Sequence, residues 1–192
     1  MNESTSKAPA AEALGRYPEL VQTLEQSYTE LEQALRGLDD NLCSAEPSPD
    51  SWSITEVIEH LGALEKRLTP VLAERLSASK APTLSEGDQE KQDAELVAKV
   101  ISRESKVPAP EGVCPTGRFT NYREALADFR AARQRTLAYV KVTGQDLKAL
   151  SMPHPIFGPL NGHQWIQIIA GHTRRHIHQI DEIKETLLGS AA

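Results

Sequence analysis

The 192-residue chain has only two cysteines, Cys43 and Cys114. They are isolated, with no paired spacing, so neither a disulfide framework nor a cysteine-rich metal knot is written into the sequence. Aromatic residues make up 5% of the chain, as in a helical soluble protein. Basic residues number 21 against 27 acidic ones, a formal net charge of -6, and they are scattered. This gives no electrostatic footprint for nucleic acid and no basic helix for an anionic membrane. No apolar run approaches membrane-spanning length, and Met1-Asn2-Glu3-Ser4-Thr5-Ser6-Lys7 lacks an apolar signal core. Residues 1–10 therefore read as a disordered lead-in to a single domain over 11–192, and the expected location is cytoplasmic. Several chemical signatures are missing too. There is no His-Glu-x-x-His, no Gly-x-Ser-x-Gly, no phosphate-binding glycine loop, and no Glu three residues before any His. These absences remove the zincin, the nucleophile-elbow and the ferritin-like di-iron readings.

What the sequence does contain is helical periodicity. Leu14, Tyr17, Val21, Leu24, Tyr28, Leu31, Leu35, Leu38 and Leu42 recur at alternating spacings of three and four, which predicts one amphipathic helix over about 11–42. Glu46-Pro47-Ser48-Pro49-Asp50 stops it. Ser53-Ile54-Thr55-Glu56 then has capping-box spacing, with Trp52 and Val57 at the positions of a hydrophobic staple. The second helix runs through Leu61, Leu64, Leu68 and Leu72, with a kink expected at Pro70. Residues 77–118 are the least regular. They allow a short helix near 88–102 and read as a connection covering one end of the molecule, a candidate lid. A third helix over about 121–140 turns Tyr122, Leu126, Phe129, Leu137 and Val140 inward. Residues 152–159 are too proline-rich for a helix and read as an ordered loop. Asn161 caps a fourth helix that Gly189 ends. Four long helices with no alternating strand pattern predict an all-α four-helix bundle, and the long connection between helices two and three permits a crossover.

Six histidines must be sorted. At roughly 100° per residue, Trp165, Ile169, His172, His176, Gln179 and Ile183 share one narrow stripe of the fourth helix. His60 borders the apolar arc of the second helix. His163 and His178 point away from the stripe and His154 lies in a loop, which leaves them as exposed or locally hydrogen-bonded side chains. Imidazoles in an apolar stripe need partners. His60, His172 and His176 are therefore candidate ligands of one divalent ion such as zinc, nickel, copper or ferrous iron, with a coordination position left open. The alternative is three core histidines satisfied by hydrogen bonds. Gln179, one turn beyond His176, is a candidate to orient a ligand. Arg175 either faces the site mouth or is solvated, and Glu56 either holds an imidazole N–H of His60 or serves only as the cap.

Two motifs then carry a resemblance. Trp52-Ser53-Ile54-x-Glu56-Val57-Ile58-Glu59-His60-Leu61 resembles the second-helix signature of the DinB-like superfamily. Trp165-Ile166-x-x-Ile169-Ala170-x-His172-x-x-Arg175-His176-x-x-Gln179-Ile180 is similar to that family's closing motif, and Pro155-Ile156-Phe157-Gly158-Pro159-Leu160-Asn161 to the loop entering it. The resemblance implies a four-helix bundle with a long crossover between helices two and three. It also implies that His60, His172 and His176 bind a divalent metal, zinc or nickel first, with iron or manganese as alternatives. Relatives of this kind include bacillithiol S-transferases, a mycothiol-dependent maleylpyruvate isomerase and metal-dependent hydrolases, and dimers are frequent. The implied function is a metal-dependent thiol S-transferase or hydrolase acting on a small molecule, with a low-molecular-weight thiol as possible co-reactant. Gln179 and Arg175 would orient the second reactant. A non-enzymatic bundle that binds a metal or small ligand, and a purely structural helical protein, are the competing expectations.

Overall fold

The computed structural model describes residues 15–76, 79–80, 86–104 and 108–189. Six helices carry the fold: α1 (Pro18–Ala34), α2 (Asp40–Ser44), α3 (Ile54–Arg75), α4 (Glu86–Ile101), α5 (Tyr122–Val142) and α6 (Gly162–Gly189). Three short strands, β1 (Ser79–Lys80), β2 (Leu150–His154) and β3 (Gly158–Asn161), form one antiparallel sheet in that order.

The first helix is shorter than its apolar spacing predicts. Pro18 opens α1, where its fixed φ suits the first turn, and the helix closes at Ala34. Gly37 follows in the left-handed region at φ 80°, which reverses the chain. Asp39 then caps a separate helix, α2, by accepting the Leu42 N–H at 2.8 Å. Leu38 in the turn before α2 and Cys43 within it pack onto the same core, so apolar burial continues across this break. Residues 11–14 of the predicted helix, and the 1–10 lead-in, lie outside the described residues.

The start of α3 agrees with its sequence signals. Ser53 and Glu56 form the reciprocal capping box, and Trp52 packs on the cluster that contains Val57. The helix continues through Pro70 to Arg75. Residues 152–159 are not a loop but a hairpin, pairing Met152 with Leu160 and Pro153 with Pro159 across a turn. The two prolines face each other, so neither is asked for a ladder N–H, which is how a proline-rich stretch can still pair. Asn161 and Gln164 exchange hydrogen bonds at 2.8 and 3.0 Å to start α6.

The helix arrangement is a crossed bundle. α1 packs on α5 and α6, and α3 packs on α5 and α6, so α1 lies across the bundle from α3 and α5 from α6. Consecutive long helices 1 and 2, and 3 and 4, are therefore diagonal, whereas the long connection joins the neighbouring helices 2 and 3. The described part of that connection does not sit over one end. Its helix α4 runs along the flank of α6, where a Cβ on Gly171 would meet Val100 Cγ1 at 3.3 Å.

Two apolar clusters fill the bundle. Leu20, Leu24, Leu72 and Ile166 belong to one, and Leu31, Ile54, Ile58 and Phe129 to the other. Each fully buried Leu or Ile contributes about 1.5–3 kcal/mol. Between the clusters runs a polar layer joining all four long helices. Arg133 of α5 donates to Glu65 of α3, to Ser27 and the Leu24 carbonyl of α1, and to Thr173 of α6. Arg133 and Glu65 are each 2% exposed, so the pair is shielded from water.

Candidate metal centre

His60 sits in the first third of α3, and His172 and His176 lie one turn apart on α6, which packs against it. The stripe that aligns His172 and His176 with Trp165, Ile169 and Ile183 buries all of them except His172, which is half-buried. Facing them, His60 is carried inward between Val57 and Leu61 of α3. The three rings meet edge to face, with centroids 4.4–5.1 Å apart. Their candidate ligand atoms all fall within 4.8 Å of one another. His172 Nε2 is 3.3 Å from His60 Nε2 and 3.1 Å from His176 Nε2.

The outer nitrogens decide which atoms face inward. His60 Nδ1 is 2.7 Å from the Val113 carbonyl, which can only accept, so Nδ1 carries the hydrogen and Nε2 a lone pair. His176 Nδ1 is 2.8 Å from Gln179 Oε1. That same oxygen receives Arg103 Nη1 at 3.2 Å, and arginine can only donate, which identifies it as the amide oxygen. His176 therefore also donates from Nδ1 and presents a lone pair from Nε2. A single hydrogen on His172 Nε2 can satisfy only one of these neighbours. The other lone pair is then left without a donor unless a cation occupies the space between the rings. His172 Nδ1 is buried with no hydrogen-bond partner.

Electrostatics favours the neutral, ligating forms. Burial pushes His176 down to about 3, with the charge of His60 adding to the effect. Burial likewise holds His172 well below the ordinary histidine value, reinforced by His176 and His60, and lowers His60 despite the Val113 carbonyl. Neutral imidazoles with converging Nε2 atoms, two of them hydrogen-bonded on the far side, are the donor set a divalent transition metal takes.

The other expected residues are placed as follows. Gln179 touches His176 and Arg103 on the side away from the convergence point. Arg175 is partly buried, and its charge acts on both His172 and His176. Glu56 is committed to its cap, accepting Ser53 N–H at 2.8 Å, and the Val113 carbonyl takes the role considered for it at His60. His163 is buried rather than exposed, bonded to Glu19, because α1 and α4 cover the first turns of α6. His154 accepts two N–H groups of its own hairpin turn, and His178 is exposed.

Four contributors were not foreseen. Trp52 stacks beside His60 and His176, with centroids 5.0 and 6.5 Å away. Arg103, at the end of α4, binds Gln179 and Glu182. The Val113 carbonyl and the buried Glu59 belong to the connection and its anchor on α3. Only Trp52 has a sequence signal, its place just before the cap. A backbone carbonyl leaves none.

The comparisons with known proteins follow this geometry. Residues 23–180 match the family profile of the DinB superfamily. The chain belongs to the DinB superfamily. Within reach of that family, YuaE of Bacillus subtilis (strain 168), an uncharacterised protein, is 30% identical over 154 residues, covering 80% of this chain and 90% of its own. Among solved structures, YfiT from Bacillus subtilis, described as a probable metal-dependent hydrolase with an unusual four-helix bundle topology, superimposes with a TM-score of 0.55 at 17% identity, covering 97% of this chain and 92% of YfiT. The four-helix bundle protein TT2238 gives 0.52 at 22% identity, covering 86% and 98%. At these identities the two structures speak for the fold. No helix among the described residues is long and apolar enough to cross a membrane.

Proposed function

We propose that His60, His172 and His176 hold one divalent metal ion, zinc or nickel before iron or manganese, and that the protein is a metal-dependent thiol S-transferase or hydrolase of a small molecule. The observation that carries this reading is the convergence of three Nε2 atoms, with the His60 and His176 rings hydrogen-bonded from behind. The description of YfiT as a probable metal-dependent hydrolase points the same way. A divalent ion bound by three imidazoles supplies Lewis acidity at an open position, lowering the pKa of a water or thiol and polarising a substrate.

This chain's own residues set the conditions for that chemistry. The Val113 carbonyl and Gln179 fix the two outer imidazoles in the ligating tautomer, and Arg103 fixes Gln179 in turn. Trp52 covers one side of the cluster and excludes water there. Arg175 places positive charge beside His172 and His176, which favours an anionic reactant such as a thiolate or carboxylate. The described part of the connection, residues 86–104 and 108–118, would act as the lid, since both Arg103 and Val113 belong to it.

A second reading, a bundle that binds a metal or small ligand without turnover, draws on one observation. The nearest carboxylates on α3 and α6 are engaged elsewhere: Glu56 caps its helix, Glu59 binds a loop and Glu182 pairs with Arg103. None of these three carboxylates is then at hand as a general base. A thiol-conjugation and ester-hydrolysis screen of zinc- and nickel-loaded protein separates the two. Metal-dependent turnover lost in His176→Ala supports the enzyme, and tight metal binding with no turnover supports the binding bundle.

A further inference from the structure

The segment that supplies the Val113 carbonyl lies against α3. It is a 3-10 turn, Glu111–Val113, followed by extended residues up to the cap of α5. What holds it is Glu59, the residue before His60. Glu59 is 3% exposed, and its two oxygens take three donors from the segment: Thr116 N–H at 2.9 Å, Thr116 Oγ1 at 2.8 Å and Gly117 N–H at 3.1 Å. Arg118 Nε lies 3.7 Å away and balances part of the charge. Gly117 is in the left-handed region at φ 68°, the conformation that lets successive N–H groups converge on an anion.

Adjacent helix positions diverge by about 100°, so Glu59 and His60 cannot grip the same atom. The segment is instead held at two points three residues apart, Val113 on the imidazole and Thr116 on the carboxylate, with the Val113 side chain buried between at 1% exposure. The carbonyl on His60 stays in register only while the carboxylate grip persists. Burying a carboxylate is costly, and an apolar side chain would anchor a loop more cheaply. What the carboxylate adds is a directional hold on the backbone that delivers the carbonyl.

We propose that Glu59 is a positioning residue for the histidine cluster: through Thr116 and Gly117 it holds the Val113 carbonyl on His60 Nδ1, fixing that imidazole's tautomer and orientation for metal binding. The proposal rests on the metal reading above, and its test is built to fail separately from it.

Zinc affinity of the full chain is measured by competition with a chromophoric chelator, for the wild type, Glu59→Gln, His60→Ala and the double variant. Losing an outer partner of a metal-bound histidine costs about 10–100-fold in affinity. Glu59→Gln should bind zinc weaker by that factor, and in the His60→Ala background the same change should add nothing. Wild-type affinity in Glu59→Gln, or an equal loss with and without His60, overturns the proposal. If Glu59→Gln does not fold, Thr116→Pro, which removes two of the three donors and leaves α3 untouched, should reproduce the loss, and unchanged affinity there refutes it. If the wild type binds no zinc, the metal reading fails, and imidazole 15N spectra of the metal-free protein still decide the positioning claim. His60 alone should shift from the Nδ1–H tautomer to a mixture in the variant. An unchanged His60 spectrum overturns it.

Discussion

Replacing Glu65 by leucine should be among the most damaging single changes in the bundle, and replacing Arg133 together with it should undo most of the harm. Five hydrogen bonds leave the Arg133 guanidinium, two of them to Glu65, and Thr136 also donates to Glu65 at 2.8 Å. Removing the carboxylate leaves a cation buried among neutral partners, at a cost of about 3–5 kcal/mol. For a chain of this size that is roughly 6–20 °C in Tm. Glu65→Leu with Arg133→Met removes both charges and leaves apolar volume between the two core clusters, so it should return to within about 1–2 kcal/mol of the wild type. Urea unfolding of the two single variants and the double variant, at one pH and with chelator present, closes the cycle. Additive losses in the double variant would refute the account of the layer as a mutually compensating pair. Zinc binding should survive in the double variant, because none of the three histidines bonds to either residue.

The pH dependence of the metal-free protein has a definite sign. In the folded state burial holds the three imidazoles neutral, His176 down to about 3, whereas unfolded histidine titrates near 6.5. The unfolded chain thus takes up protons first, so this stability is fully present above about pH 6.5 and is lost as pH falls toward 3, by up to roughly 5 kcal/mol for His176 alone. Denaturant titrations with chelator between pH 7.5 and 4 should show the decline, His176→Leu should flatten it, and a flat wild-type profile contradicts the burial argument. Gln179→Leu removes the acceptor behind His176 and should weaken zinc by about 10–100-fold without abolishing it, read by chelator competition. Trp52 emission should change on zinc addition and the change should vanish in Trp52→Phe, since Trp165, bonded to the Met152 carbonyl, lies in the other core cluster.

The sequence carries the helices and the three histidines because both depend on local periodicity. The Ser53 and Asn161 caps are legible for the same reason, each being a side chain that answers an N–H three residues away. The split of the first helix is not legible. Gly37 interrupts an apolar spacing that never falters, and only the packing of α2 shows that a new element took over. The hairpin hides behind its prolines, which pair with each other. The diagonal arrangement of long helices 1 and 2, and 3 and 4, is a tertiary choice, tied together by the buried Arg133 and Glu65 layer. Around the histidines the missing information is of one kind. The Val113 carbonyl, the Glu59 grip and Arg103 all act across long sequence separations, where neither wheel nor motif relates them to the cluster.

The most direct test of the central claim is the metal content of protein purified without a metal-affinity column, measured by inductively coupled plasma mass spectrometry alongside His60→Ala and His176→Ala. The account predicts about one divalent transition metal ion per wild-type chain and a large loss in both variants. A wild-type protein that is folded, carries no such ion and takes none up from added zinc or nickel would contradict it.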